Sequence, residues 1–440
     1  MTLAAVVCSA AEKPNIIFIF ADDLGWGDLG CYGHPYAKTP HLDKLASEGT
    51  RFMQFYAPGV TCCPSRTGFM TSKFPATFAR YPASGGFSGH VTITELLNEN
   101  GYATGHFGKW HIGPTQKPGT YGIDVIGVDN EKPKRRRDES HTRCRDAPIF
   151  DVAIRFIEKH KDQPFYVNVW GHIPHHAVNP PPTVLDAFGP LQVDESRFAL
   201  PMQEKFALCK KAGGDVSRHM RAYLAEVQAL DEAIGRLLRR LDELGLRSNT
   251  IVVFSSDQGP APIREGVTDP IRLNAMGCAG PFRGGKHNQY EGGIRIPFIV
   301  RWPDRVTAGR VDNTSILGGV DWLPTLCALT GIPINPADFD GEDTSAAWLG
   351  RPFTRTKPLL WKTSAANSPT AIREGRWKLH YPNNKRAELE LYDLETDPGE
   401  RHNLARQQPD IVQRLSANVM AWQTTLPAKY EKPNPKEDEK

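Results

Sequence analysis

The sequence contains no run of 18 or more apolar residues, which excludes a transmembrane helix. It has no surplus of one charge either, since 53 basic residues against 50 acidic ones leave a formal net charge of +3. That balance excludes a nucleic-acid binder recruited by bulk charge, so any preference for anions has to be local. Cysteine is scarce and unpatterned. Cys8, Cys31, Cys62, Cys63, Cys144, Cys209, Cys278 and Cys327 show no zinc-type spacing, and no disulfide pairing can be deduced from them. No internal repeat is found. What remains is an ordinary globular composition, 40% hydrophobic and 23% charged over 440 residues, enough for one large core and a smaller appended unit. At the N-terminus, residues 3–7 followed by Cys8-Ser9-Ala10-Ala11 read as the shortened end of an export signal without a basic n-region, spanning residues 1–12. This implies a periplasmic or secreted protein. Val7 argues against lipidation of Cys8, where a small residue is expected before the cysteine.

Residues 15–21 form a short apolar run, the pattern of a strand buried on both faces of a parallel sheet, and the run ends at Asp22-Asp23. Three similar runs follow. Residues 102–107 end at Lys109 and His111, residues 165–170 at His172 and His175, and residues 250–256 at Asp257. Polar residues thus gather at strand carboxyl ends, where open α/β sheets place their ligand crevice. Residues 219–244 carry an apolar stripe at three- and four-residue spacing and are predicted to form a helix packed on the sheet. Residues 297–301 are a further strand candidate. The texture changes near residue 351, so the expected organisation is a catalytic unit over 13–350, a small α+β unit over 351–428 with a helix at 410–422, and a disordered tail over 429–440. The loop 131–146, with Lys132, Lys134, Arg135, Arg136 and Arg137, reads as solvated, with contact to an anionic substrate as the alternative.

The sharpest local signal is Cys62-Cys63-Pro64-Ser65-Arg66, continuing Thr67-Gly68. Proline suits the first position of a helix, which places Cys62 just ahead of a helix N-terminus, where free N–H groups favour an anion. Against this, cysteine is often only a small buried hydrophobe. Asp22-Asp23 invites a cation, because adjacent carboxylates repel unless one holds them; one aspartate as a helix cap and one exposed is the common alternative. Asp257-Gln258-Gly259 adds a third carboxylate and an amide oxygen, completing an all-oxygen set suited to calcium or magnesium. Gly108-Lys109-Trp110-His111, His172-Ile173-Pro174-His175-His176 and Gly284-Gly285-Lys286 supply cationic and titratable groups. The three histidines suggest zinc as well, but no carboxylate or cysteine partner has the expected spacing.

Together these strings resemble the type I, formylglycine-dependent sulfatases, in the family's order from about residue 14 to 405, including the late Leu391-Tyr392-Asp393-Leu394 signature. The resemblance implies an α/β, alkaline-phosphatase-like three-layer sandwich with a large mixed, mostly parallel sheet and a small C-terminal α+β subdomain. It implies that Cys62 is oxidised to formylglycine by a formylglycine-generating or anaerobic maturation enzyme. It also implies one divalent ion, calcium, on Asp22, Asp23, Asp257, Gln258 and position 62. Arg66 is then the guanidinium beside the nucleophile, Lys109 and Lys286 bind the sulfate, His175 contacts it and protonates the leaving group, and His111 helps break a formylglycine-sulfate intermediate. Asp257 is a candidate second base. The chain departs from the family at Ser72 (usually Gly), Gln258 (usually Asn) and Ala177 (usually Pro), and the last leaves His172 open as a substitute substrate contact. The implied substrate is a sulfated carbohydrate or aryl sulfate, with a leaning to the N-acetylgalactosamine-6-sulfatase or arylsulfatase A type. The alternatives are a phosphomonoester or phosphodiester hydrolase of the same fold, and a catalytically silent sulfated-glycan binder with Cys62 unmodified.

Overall fold

The computed structural model describes residues 13–81, 86–87, 89–113, 117–127, 144–364, 368–384 and 387–431. The export-signal residues with Cys8, the loop residues Lys132, Lys134, Arg135, Arg136 and Arg137, and the tail after residue 431 lie outside them. In chain order the strands are β1 (Asn15–Ala21), β2 (Thr50–Tyr56), β3 (Ala103–Gly108), β4 (Val125–Gly127), β5 (Phe165–Trp170), β6 (Thr250–Ser256), β7 (Arg295–Arg301), β8 (Arg310–Asp312), β9 (Leu317–Gly318), β10 (Leu359–Trp361), β11 (Thr370–Glu374), β12 (Trp377–Tyr381) and β13 (Glu390–Asp393).

The first nine make one sheet in the order β4-β3-β5-β1-β6-β7-β2-β8, with β9 also on β2. Pairing is parallel from β4 through β6. β7 is antiparallel to both of its neighbours, so β2 runs with the majority. Both faces are covered, which explains why the strands read as continuous apolar runs. Alternate residues of β1 serve the two layers. Ile17 and Ile19 join one core with Met220, Leu224, Leu230, Leu237 and Leu241 of the helix Val216–Glu243. Ile16, Phe18 and Phe20 join the other with Phe69, Trp322, Leu323 and Leu326. Each such side chain contributes about 1.5–3 kcal/mol on burial, and the Phe18 and Trp322 rings lie 4.2 Å apart.

β10 to β13 form a separate four-stranded antiparallel sheet backed by the helix Pro409–Gln423 through Leu415 and Val419. A buried ion cluster joins this sheet to the segment that enters β7 of the large sheet. Lys378 Nζ lies 2.9 Å from a carboxylate oxygen of Glu291 and 2.9 Å from one of Glu400, and His380 Nε2 is 3.0 Å from Glu400. Tyr56 donates to Glu291 at 2.7 Å.

Several boundaries differ from the sequence expectation. β3 is shifted one residue because Gly108 pairs with Trp170 at the end of β5, and β7 begins two residues early because Arg295 pairs with Tyr56. Cys62 does not precede its helix; it is the first residue of Cys62–Thr71, with Thr61 as cap. Pro64 therefore sits third rather than first. The position tolerates it because the first helical N–H to find a backbone partner within the helix is that of Ser65, bonded to Thr61 O at 3.1 Å.

Candidate active site

Parallel topology brings the strand ends to one edge. β3, β5, β1 and β6 are consecutive in the sheet, so the residues after them, from Lys109 to Asp257, emerge side by side. β2 runs the same way and hands the chain to the Cys62 helix. β7 runs the other way, so the segment entering it carries Lys286 to the same edge. Gly108 is essential to the bend, because its φ is 101° and a Cβ there would come within 2.0 Å of Trp170 O. Ser72, in place of the family's glycine, adopts the left-handed cap itself at φ 53°, and its Oγ accepts a hydrogen bond from Leu323 N at 2.9 Å.

Around Cys62 the side chains converge. Its Sγ is 3.3 Å from Asp22 Oδ1, 4.0 Å from Asp23 Oδ1, 3.4 Å from Gln258 Nε2 and 3.4 Å from Lys286 Nζ. Lys286 Nζ donates to both oxygens of Asp23 at 2.7 and 2.9 Å, and Lys109 Nζ to Asp22 Oδ2 at 2.5 Å. Arg66, fully buried, grips Asp257 Oδ2 through Nε at 3.0 Å and a terminal nitrogen at 2.9 Å. Its other terminal nitrogen donates to Lys109 O at 2.8 Å, and Phe20 and Trp170 flank the guanidinium at 5.3 and 5.2 Å. Asp257 Oδ1 accepts from Asp23 N at 3.0 Å.

Three carboxylates thus face three fixed cations in a buried site, and the electrostatics follow. Burial would raise Asp22, but Lys109 and Arg66 hold its carboxyl well below the usual range. Burial and the neighbouring Asp22 push Asp257 up to about 6 against the pull of Arg66. Burial, with Asp257 and Asp22 alongside, drives the Cys62 thiol upward, so an unmodified cysteine here is a neutral thiol and a poor nucleophile. His111, exposed at the rim with φ 60°, is lowered to about 4 by partial burial and by Lys109 and Arg66.

Ligating atoms of Asp22, Asp23, Cys62 and His175 lie within 4.8 Å of one another. Gln258 completes the ring with its amide nitrogen on Asp23 Oδ1, while its buried Oε1 has no hydrogen-bond partner among the described residues. An orphaned acceptor among carboxylates is what a hard cation would satisfy, once the amide turns its oxygen inward. His175 Nε2 faces Asp23 Oδ2 at 3.9 Å. His172 turns elsewhere, with Nδ1 3.3 Å from Asp146 Oδ1.

Sequence reasoning passed over two supporting carboxylates. Asp146 receives the backbone N–H groups of His172 and Ile173, both at 2.8 Å. Asp28 accepts from Gly25 N at 2.6 Å, Tyr223 Oη at 2.6 Å and Cys278 N at 2.7 Å, closing the loop after Asp22-Asp23; burial pushes it up to about 7. Apart from Gly25, three residues before Asp28, their partners lie 26 to 250 residues away, so the sequence around each one does not show its role.

Known proteins resemble this chain along most of its length. The family model described as Sulfatase matches residues 14–332, and one described as N-sulphoglucosamine sulphohydrolase, C-terminal, matches 284–425. The chain is 31% identical over 510 residues to an N-acetylgalactosamine-6-O-sulfatase of Bacteroides thetaiotaomicron, covering 92% of each chain. It is also 31% identical over 463 residues to arylsulfatase A of Homo sapiens, covering 92% of this chain and 87% of that one. Among solved structures, Ps i-CgsB in complex with k-i-k-neocarrahexaose superposes with a TM-score of 0.78 at 24% identity, over 97% of both chains. That likeness shows the fold, an alkaline-phosphatase-like one with its large mixed sheet and small antiparallel sheet.

Proposed function

The chain belongs to the sulfatase family and is a sulfate-ester hydrolase, and from that premise we propose that it removes sulfate from a carbohydrate or aryl ester using formylglycine made from Cys62 and one calcium ion. The observation that carries this reading is the convergence on Cys62 Sγ, at the first turn of a buried helix, of Asp22 at 3.3 Å and Lys286 at 3.4 Å. Asp22, Asp23, Asp257, Gln258 and position 62 would hold the cation, and the unpartnered Gln258 Oε1 fits that assignment. When bound, the cation and the hydrated aldehyde supply charge neutralisation, a nucleophilic oxygen and a second hydroxyl for release of sulfate.

The chain's own residues do the rest. A sulfate monoester resists attack because its oxygens carry negative charge, so Lys109 and Lys286 turn from their aspartates to the sulfuryl oxygens and stabilise them as charge redistributes. Arg66 keeps Asp257 ionised and aimed, through two hydrogen bonds that leave its position little freedom. His175 protonates the departing alcohol from Nε2, and His111, held largely neutral, accepts a proton during sulfate release. The maturation enzyme and an export route ahead of residue 13 belong to the same reading, as does a sulfated glycan as substrate.

Mass spectrometry of the peptide containing residue 62, paired with turnover of 4-nitrophenyl sulfate and 4-nitrophenyl phosphate, tests it. The expected result is the aldehyde at residue 62 and preference for the sulfate. An unmodified Cys62 in protein from a maturation-competent host, with no turnover, would favour the silent glycan binder. Preference for the phosphate would favour the phosphate-ester reading.

A further inference from the structure

The loop that carries His175 has little regular structure of its own; β5 ends at Trp170 and no helix begins before Pro182. Yet it is heavily bonded, and many of the bonds come from two consecutive residues. Asp146 accepts the backbone N–H groups of His172 and Ile173 and faces the His172 ring. Arg145 does the complementary work on the carbonyls, donating to His172 O at 3.3 Å and His175 O at 2.6 Å through one terminal nitrogen and to Ala177 O at 3.2 Å through the other. The guanidinium is itself held. Its terminal nitrogen lies 3.0 Å from Glu226 Oε2 on the helix Val216–Glu243, and Glu226 Oε1 accepts Asn179 N at 3.1 Å. Carbonyls at 172, 175 and 177 and the amide at 179 are therefore referred to one ion pair anchored on the longest helix of the fold.

The consequence reaches the histidine's reactive nitrogen. His175 Nδ1 is 2.6 Å from His176 O, and since a carbonyl only accepts, that nitrogen carries a proton and Nε2 is the end facing Asp23. His176 O keeps this orientation because Arg145 fixes the peptide units on either side, at His175 O and Ala177 O. We propose that Arg145, braced by Glu226, is a positioning residue for the reaction, holding His175 so that Nε2 meets the ester oxygen of the leaving group. This rests on the reading of His175 as the proton donor. His175 donates as the imidazolium, with Nδ1 and Nε2 both protonated: as the S–O bond breaks, its electron pair goes to the ester oxygen, the Nε2 proton follows it, the alcohol leaves neutral, and the ring is left neutral with its proton on Nδ1.

A graded series of substituted phenyl sulfates, from 4-nitrophenyl to unsubstituted phenyl, tests the proposal in the mature, metal-loaded enzyme. Nitrophenolate leaves without a proton and phenolate benefits from one, so misplacement of the donor is felt at one end of the series only. Arg145→Ala should lose roughly hundredfold in kcat on phenyl sulfate and about threefold or less on 4-nitrophenyl sulfate. Arg145→Lys, which keeps the charge but not the fork, should fall between it and the parent. Glu226→Gln gives the same slope in smaller degree and serves if Arg145→Ala does not fold. An equal loss along the whole series, or no loss anywhere, overturns the positioning role. His175→Ala is the separate control: a uniform loss in that variant removes the donor assignment, and the proposal with it, for a reason that does not involve Arg145.

Discussion

Lys286 occupies both oxygens of Asp23, and a cation binding there has to take at least one of them. Replacement of Lys286 by methionine, similar in length and uncharged, should therefore tighten calcium binding while it cripples catalysis. The magnitude follows from the geometry. Two charge-assisted contacts at 2.7 and 2.9 Å join side chains only 10% and 3% exposed, so solvent screens them little. A hydrogen bond to a charged group contributes about 1.5–3 kcal/mol net, which converts to roughly 10- to 100-fold in affinity once the competing ammonium is gone. Loss of a positive charge from the cation's surroundings acts in the same direction. Isothermal titration of chelator-stripped protein with calcium chloride measures the effect directly, and turnover of 4-nitrophenyl sulfate by the same variant should drop about a hundredfold for want of charge stabilisation at the sulfate. Calcium affinity unchanged or weakened in Lys286→Met would refute the competition argument and the placement of the cation against Asp23.

Three further outcomes are expected. Cys62→Ser should fold and fail to turn over, because a serine hydroxyl has no geminal partner to expel sulfate, whereas Cys63→Ser should keep most activity; steady-state assays with circular dichroism distinguish the two. Arg66→Ala strands Asp257, fully buried and paired to it by two hydrogen bonds, and should cost about 3–5 kcal/mol in urea denaturation of the metal-free protein; a loss below 1 kcal/mol would show that water or relaxation replaces the pair. Asp28 is raised by burial to about 7, so it stays protonated in the folded state while the unfolded carboxyl ionises near its ordinary value. Its favourable contribution is whole below pH about 4 and declines as pH rises to about 7. Urea titrations across that window should show the slope in the parent relative to Asp28→Asn, and a difference independent of pH would contradict it.

The sequence by itself determined the parts that local physical chemistry controls. Apolar runs such as Asn15–Ala21 and Thr250–Ser256 could only be buried strands, and the stripe over residues 219–244 could only be a helix face, observed as Val216–Glu243. The polar residues following them were legible as a crevice because parallel strands share a carboxyl edge. The Cys62 motif was legible through its resemblance to the sulfatase signature, since residue types alone left a small buried hydrophobe as the alternative. The position of Pro64 within its helix was misjudged because a proline fits anywhere in a first turn, whose N–H groups have no acceptor within the helix. Tertiary structure decided everything that depends on chain direction and distant partners. Lys286 reaches the site because β7 is the strand that runs against its neighbours, a fact carried by no residue near position 286. The pairing of Lys109 with Asp22, the orphaned oxygen of Gln258, and the support lent by Asp28, Asp146 and Arg145 arise from contacts between residues up to 250 apart. Burial creates those interactions by removing water and leaving each charge with the neighbours that folding happens to bring.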